Sequence, residues 1–244
     1  MKRGRWVGAA LLAAATAAVC APALAYRPFD GNDAAVAAEG EIGIEFEPIG
    51  FVREGASRSL IAPEAVFIYG FAKNWEASIQ GEAVHGLTED LRPHALRGTG
   101  VLAKGVLREG SLQDKSGPSL ATEIGVLLPE ANGDRGAGAS VGLIASQRFD
   151  ALTVHLNLAG GLTRQNRGQL FAGVIVEGPH EWPIRPVAEV MRERDFGGDT
   201  VVSGLVGAIW EVSDGVAVDA AYRHGRVGEQ RLNEIRAGVS FSFP

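Results

Sequence analysis

The chain closes on a stretch whose side chains alternate with a period of two. Over residues 233–243, Ile235, Ala237, Val239, Phe241 and Phe243 share one face, while Glu234, Arg236, Gly238, Ser240 and Ser242 share the other. That is a β-strand with an apolar side and a polar side. The pattern recurs near the start, where Ile42, Ile44 and Phe46 oppose Glu41, Glu45 and Glu47. Further strands are predicted over 63–71, 75–85, 99–108, 118–128, 137–149, 152–162, 169–177, 184–194, 200–211 and 215–223, twelve in all. The clearest is 75–85, with Trp75, Ala77 and Ile79 on one side and Glu76, Ser78, Gln80 and Glu82 on the other.

Parity constrains how these strands pair. Outward faces on odd-numbered residues require an odd loop, which Ala72-Lys73-Asn74 supplies, bringing Phe71 to Trp75. Val212-Ser213-Asp214 does the same between strands ten and eleven. The two-residue turn Asp150-Ala151 matches Phe149 with Leu152 and sets Ser146 opposite His155. Loops are expected at 55–62, 86–98, 129–136 and 225–232, and 109–117 is longer than the short turn its place calls for.

Strands of about ten alternating residues, closing on an aromatic-tipped terminal strand, fit an all-β transmembrane, antiparallel up-and-down β-barrel of about 12 strands. An even count puts both barrel ends on the periplasmic side. Trp75, Trp182 and Trp210, with Phe71 and Phe149, then all fall at that end. A membrane interface sorts aromatic residues in this way, and a soluble sandwich has no reason to.

The N-terminus agrees with export. Lys2, Arg3 and Arg5 precede an apolar run over 6–19 and an Ala23-Leu24-Ala25 site, so residues 1–25 are expected to be a cleaved signal peptide. Val19 argues against lipidation at Cys20, the only cysteine. The mature chain would hold 20 Lys and Arg against 29 Asp and Glu, a net charge of −9 that disfavours nucleic acid. Without cysteine it has no disulfide or thiolate metal site. Residues 26–40 lack periodicity and are expected to form a periplasmic tail, with 41–243 as the barrel.

The inward positions carry ionisable residues of both signs: Glu76, Glu82, Lys104, Arg108, Glu123, Arg185, Glu189, Asp219, Arg223, Glu234 and Arg236, with His155 and Asn157 among them. Two readings stand. Either these groups form a charged constriction that selects solutes, or an ion-pair network fills a narrow barrel. Lys104 and Arg108 beside Glu123 favour the network. Ser146, His155 and Asn157 raise a hydrolase as an alternative, since an outer-membrane phospholipase is also a twelve-stranded barrel, but a lumen hydrogen-bond cluster is the simpler account. Gly138-Ala139-Ser140-Val141-Gly142 matches the spacing of a serine-hydrolase elbow, yet the strand runs on through it. His85, His94, His180 and His224 have no metal-like spacing. Asp30, Asn32 and Asp33 could contact a cation, although an exposed polar tail explains them as well.

Thr122-Glu123-Ile124-Gly125-Val126-Leu127-Leu128-Pro129, Val154-His155-Leu156-Asn157, Arg185-Pro186-Val187-Ala188-Glu189 and Gly207-Ala208-Ile209-Trp210, in that order, resemble an outer-membrane, transporter-like bacterial family. That family is associated with the meta-pathway of phenol degradation. Arg27-Pro28-Phe29 and Glu234-Ile235-Arg236-Ala237-Gly238 extend the resemblance over nearly the whole mature chain. It implies a barrel passing small organic molecules, and it transfers no catalytic residue and no cofactor. Pro244 departs from it, because barrel assembly signals end on the aromatic itself. The expected partners are outer-membrane lipid and lipopolysaccharide, the barrel-assembly machinery and a small-molecule solute, with the barrel a monomer.

Overall fold

The computed structural model describes residues 27–244, so the predicted signal peptide lies outside the described residues. Twelve antiparallel strands form one closed barrel. The first, β1, runs in two segments, Ile42–Glu47 and Gly50–Glu54, interrupted at Pro48-Ile49. Both segments bond the second strand on one side and the last strand on the other, which closes the cylinder and leaves no free edge. The others are β2 (Ser57–Ala72), β3 (Trp75–Gly86), β4 (Ala95–Arg108), β5 (Ser119–Leu127), β6 (Gly138–Arg148) and β7 (Thr153–Leu162). They continue with β8 (Gly168–Glu177), β9 (Ile184–Asp195), β10 (Thr200–Ser213), β11 (Val216–Val227) and β12 (Gln230–Phe243). Each pairs with its neighbours in sequence.

Alternation sorts the side chains as the sequence implies. Ile79, Ile124, Leu143, Leu156, Val190 and Val206 stand exposed on the outer wall, where lipid replaces water. Glu45, Glu47, Glu76, Lys104 and Glu189 are buried inside. Phe71 contacts Trp75 with ring centroids 6.5 Å apart, and Trp182 and Trp210 lie exposed at the same end. The register of β6 with β7 pairs Ser146 with His155, and Phe149 N–H donates to Leu152 O at 2.8 Å. Among the described residues no helix is long and apolar enough to cross a membrane.

Two expected loops are largely strand, and a third, 86–98, is shortened. Residues 55–62 contain only the two-residue turn Gly55-Ala56, with Gly55 at φ 57°, before β2 begins. Residues 225–232 contain only the turn Gly228-Glu229, and β4 starts four residues ahead of the predicted 99. In these extensions arginines join apolar residues on the outer face, so the alternation that marks a strand fades there. Between β10 and β11 the turn is Asp214-Gly215, with a bulge between Glu211 and Ser213 in place of the expected three-residue loop. Arg108 is also corrected. A register shift between Val106 and Arg108 reverses the parity, so Arg108 is exposed at the periplasmic rim and donates to Pro118 O and to Ser116 O.

The long turn after β4 folds back over the mouth. Its 3-10 turn, Ser111–Gln113, is anchored by Leu112 N–H to Ser119 Oγ at 3.0 Å and by Arg148 N–H to Ser111 Oγ at 2.8 Å. Leu112 packs on Ala34, Ala121 and Ile144.

The outer wall makes one direct prediction. Val206, 61 % exposed near mid-strand, is expected to sit at bilayer depth. Val206→Arg should destabilise the folded barrel by about 2–4 kcal/mol in reversible urea unfolding from phospholipid vesicles. A cost near zero would place β10 outside the membrane.

Candidate functional site: an occupied lumen

The segment that reads as a tail is the main occupant of the barrel. From Arg27 to Gly40 it lies against inward-facing side chains of nearly every strand, and its backbone hydrogen bonds go to them. This satisfies a stretch of chain that has no sheet partner of its own. A sequence without periodicity cannot signal such an arrangement, because the partners are spread over the whole barrel.

Four anchor points hold it. Arg27 is buried and pairs with Glu47, with Glu64 at 3.4 Å and with Asp219 at 3.5 Å. At the second, Glu189 accepts two successive backbone N–H groups, from Asp30 at 2.9 Å and Gly31 at 2.8 Å. The Asp30 carboxylate meanwhile meets Arg223 at 2.6 Å and Arg236 at 2.9 Å, and Glu234 takes up the other side of both arginines. Arg236 also donates to Pro28 O at 2.8 Å.

The third anchor is an amide clasp. Asn32 N–H donates to Asn157 Oδ1 at 2.8 Å and Asn157 Nδ2 donates back to Asn32 O at 2.9 Å, so a side chain imitates a strand partner. Asn32 Nδ2 donates in turn to Glu123 Oε2 at 2.8 Å. Glu123 lies opposite Lys104 in the sheet, and Lys104 bridges Glu76 at 3.1 Å and Asp33 at 3.5 Å. The fourth anchor is at the exit. Ala37 N–H donates to Glu76 at 2.6 Å, and Gly40 N–H donates to Gly70 O at 2.8 Å. A Cβ on Gly70 would lie 1.9 Å from Ala38 O, so only glycine lets the segment pass over β2 here.

Ser146 and His155 belong to the same system. Ala34 N–H donates to Ser146 Oγ at 2.9 Å, which leaves the hydroxyl proton to face His155 Nδ1 at 2.8 Å. His155 Nε2 faces Glu177 Oε1 at 3.1 Å, and Glu177 is held by Arg185, itself paired with Glu211. Serine, histidine and carboxylate are thus in line. The hydroxyl, however, is fully buried and engaged by the backbone of residue 34, so the line fixes the segment.

Of the inward residues expected from the sequence, Glu76, Glu123, Asn157, Glu189, Asp219, Arg223 and Arg236 contact the segment through side-chain atoms. Lys104 contacts it directly at Asp33, whereas His155 reaches it through Ser146 and Glu234 through the two arginines. Arg185 stands at the periplasmic end of the Glu177 line. Glu82 stands apart, lining free space. Asp30, Asn32 and Asp33 hold protein partners, and among the described residues no group of three potential ligands could hold a metal. The partners that sequence reasoning missed are Arg27, Glu64, Glu177 and Glu211.

Two cavities flank residues 30–32. One of about 530 Å³ is lined by residues of β3 to β12, among them Leu102, Phe171, Met191, Gln169, Glu193 and Arg223. The other, about 400 Å³, is rich in carboxylates, among them Glu45, Glu64, Glu82 and Glu123, with Arg27 and Arg236.

A closed twelve-stranded barrel with a lipid-facing exterior and a polar interior defines the class: an outer-membrane β-barrel, located in the bacterial outer membrane. Solved structures share the fold. An outer membrane channel from Pseudomonas putida F1 superposes with a TM-score of 0.62 at 8% identity, over 86% of this chain and 97% of that one. The KdgM porin matches with a TM-score of 0.56 at 15% identity, over 83% and 99%. No family model matches the sequence, and no curated protein sequence does.

The anchors are separable by experiment. Glu189→Ala removes the acceptor of two N–H groups. Amide exchange at Asp30 and Gly31 should rise roughly tenfold or more, as expected for a lost net bond to a charged group, while β9 amides stay protected. Unchanged exchange at residues 30 and 31 would show that Glu189 does not hold the segment.

Proposed function

We propose that the protein is an outer-membrane channel for small organic solutes whose passage is controlled by residues 27–40. The observation that carries this reading is the nature of the plug. It is not part of the wall, and its anchors are hydrogen bonds and ion pairs that water can replace one by one. Cavities already lie beside it. With the segment displaced, Glu76, Glu82, Lys104, Glu123, His155, Asn157, Arg185, Glu189, Asp219, Arg223, Glu234 and Arg236 line a mixed-charge passage that selects solutes.

The larger cavity supports a preference within that class. Phe171, Met191 and Leu102 offer apolar contact beside Gln169, Glu193 and Arg223, a lining suited to small aromatic molecules that carry a polar group. The resemblance to the phenol-pathway family supports the same solutes. The structural neighbours include a channel and a porin, whose fold this chain shares.

Reconstitution into planar bilayers tests the reading. The intact protein should conduct weakly, and a variant lacking residues 27–38 should conduct several-fold more. If the shortened barrel folds and its conductance is unchanged, the segment is not the barrier. If neither form conducts nor passes solute in vesicle swelling, the barrel is a sealed structural element and the channel reading fails.

A further inference from the structure

The outer wall has an unexpected charge distribution at its extracellular end. Arg192 and Arg194 on β9, Arg226 on β11, Arg231 on β12, Arg53 on β1 and Arg58 on β2 are exposed, on positions whose alternation turns them outward. At the same level on the rest of the circumference the outward residues are apolar: Leu96, Val101, Val126, Leu162 and Leu170. The whole chain carries a formal net charge of −6, so this basic face does not follow from composition.

Two features show that the face lacks its counter-charge. Arg226 pairs directly with Arg231 across β11 and β12, and Arg53 directly with Arg58 across β1 and β2. Like charges set opposite each other destabilise a sheet unless an anion lies between them. Among the described residues none of the six arginines forms an ion pair with a carboxylate, even though Glu229 sits in the adjoining turn. Arg53 has only Gly55 O at 3.3 Å, and Arg194 lies over the Phe196 ring at 5.3 Å. Between the two arginine pairs sits a small polar hub. Asn233, opposite Arg53, accepts from Tyr222 at 2.8 Å and contacts His224 at 2.9 Å.

Depth identifies the occupant. Val202, opposite Arg192, lies eight residues along β10 from Trp210 in the periplasmic girdle. At ~3.4 Å per residue and a tilt of about 40°, that spans roughly 20 Å along the membrane normal, close to the height of the apolar band. The arginines therefore stand at the outer headgroup level.

We propose that this face binds the phosphorylated headgroup of the outer-leaflet glycolipid, lipopolysaccharide, with phosphates held between Arg226 and Arg231 and between Arg53 and Arg58. Guanidinium groups suit phosphate through paired N–H donors, and a fixed anion converts two repulsive pairs into bridged ones. The site lies outside the lumen and is independent of solute passage.

The test titrates the detergent-solubilised protein with lipid A carrying its phosphates and with the same lipid after dephosphorylation, counting bound lipid by native mass spectrometry. The phosphorylated form should bind at least tenfold more tightly. Arg226→Gln with Arg231→Gln, and separately Arg53→Gln with Arg58→Gln, should each weaken it roughly tenfold, in line with the contribution of interfacial arginines. Arg135→Gln, in the loop after β5, should leave binding unchanged. Both double variants should fold at least as well as the parent in lipid-free detergent, read by heat-modifiable gel migration, because each removes a like-charge opposition. Equal binding of the two lipids, or full binding by both double variants, would overturn the proposal. Equal protection against thermal unfolding by inorganic phosphate at the same concentration would overturn the assignment to lipid. Should a double variant fail to fold, the comparison of the two lipids on the parent protein still decides the question.

Discussion

A charged group facing the interior of a closed barrel has to be solvated or paired, and this constraint organises the molecule. Burying a carboxylate without a partner costs several kcal/mol, and an ion pair recovers that only when its remaining hydrogen-bonding capacity is met. Some inward charges pair within the wall, as Arg185 does with Glu177 and Glu211, and Arg223 and Arg236 with Glu234. For others residues 27–40 supply partners: a guanidinium at Arg27, a carboxylate at Asp30, an amide at Asn32 and backbone N–H groups of residues 30 and 31. The wall and the segment are complementary charge by charge.

On the channel reading, the two possible accounts of the inward charges, a constriction or a filling network, describe successive states of one set of residues. With the segment in place Glu189, Asn157 and Arg236 serve as its docking groups. On the channel reading they line the passage once it leaves. The apolar clusters that include the segment are small: Phe29 against Val187, Ile209 and Ala217, and Ala34 against Ala121, Ile144 and Leu112.

Much of the wall was legible in the sequence. Alternation is a local property, so β3, β6 and β7 and the Ser146–His155 pairing follow from parity and a two-residue turn. Legibility fails where charged residues reach the outer face. In the extracellular extensions of β2, β11 and β12 arginines join apolar residues there, and residues 55–62 and 225–232 therefore look like loops. A bulge at Leu107 was equally silent and reversed the side taken by Arg108. The segment 27–40 was the largest gap. It uses no periodicity, since its partners come from strands up to two hundred residues away, as Arg236 to Pro28 does.

The account rests on residues 27–40 lying inside the barrel, and one cross-link tests that directly. A Cβ built on Gly31 would lie 3.0 Å from Asn157 Cγ, close to the separation between one Cβ and the partner sulfur in a disulfide. Gly31→Cys combined with Asn157→Cys, in isolated outer membranes, should form an intrachain disulfide on mild oxidation, seen as loss of both thiols to maleimide mass-labelling and their return on reduction. Thiols that stay free and reactive after oxidation would place the segment outside the lumen and contradict the account.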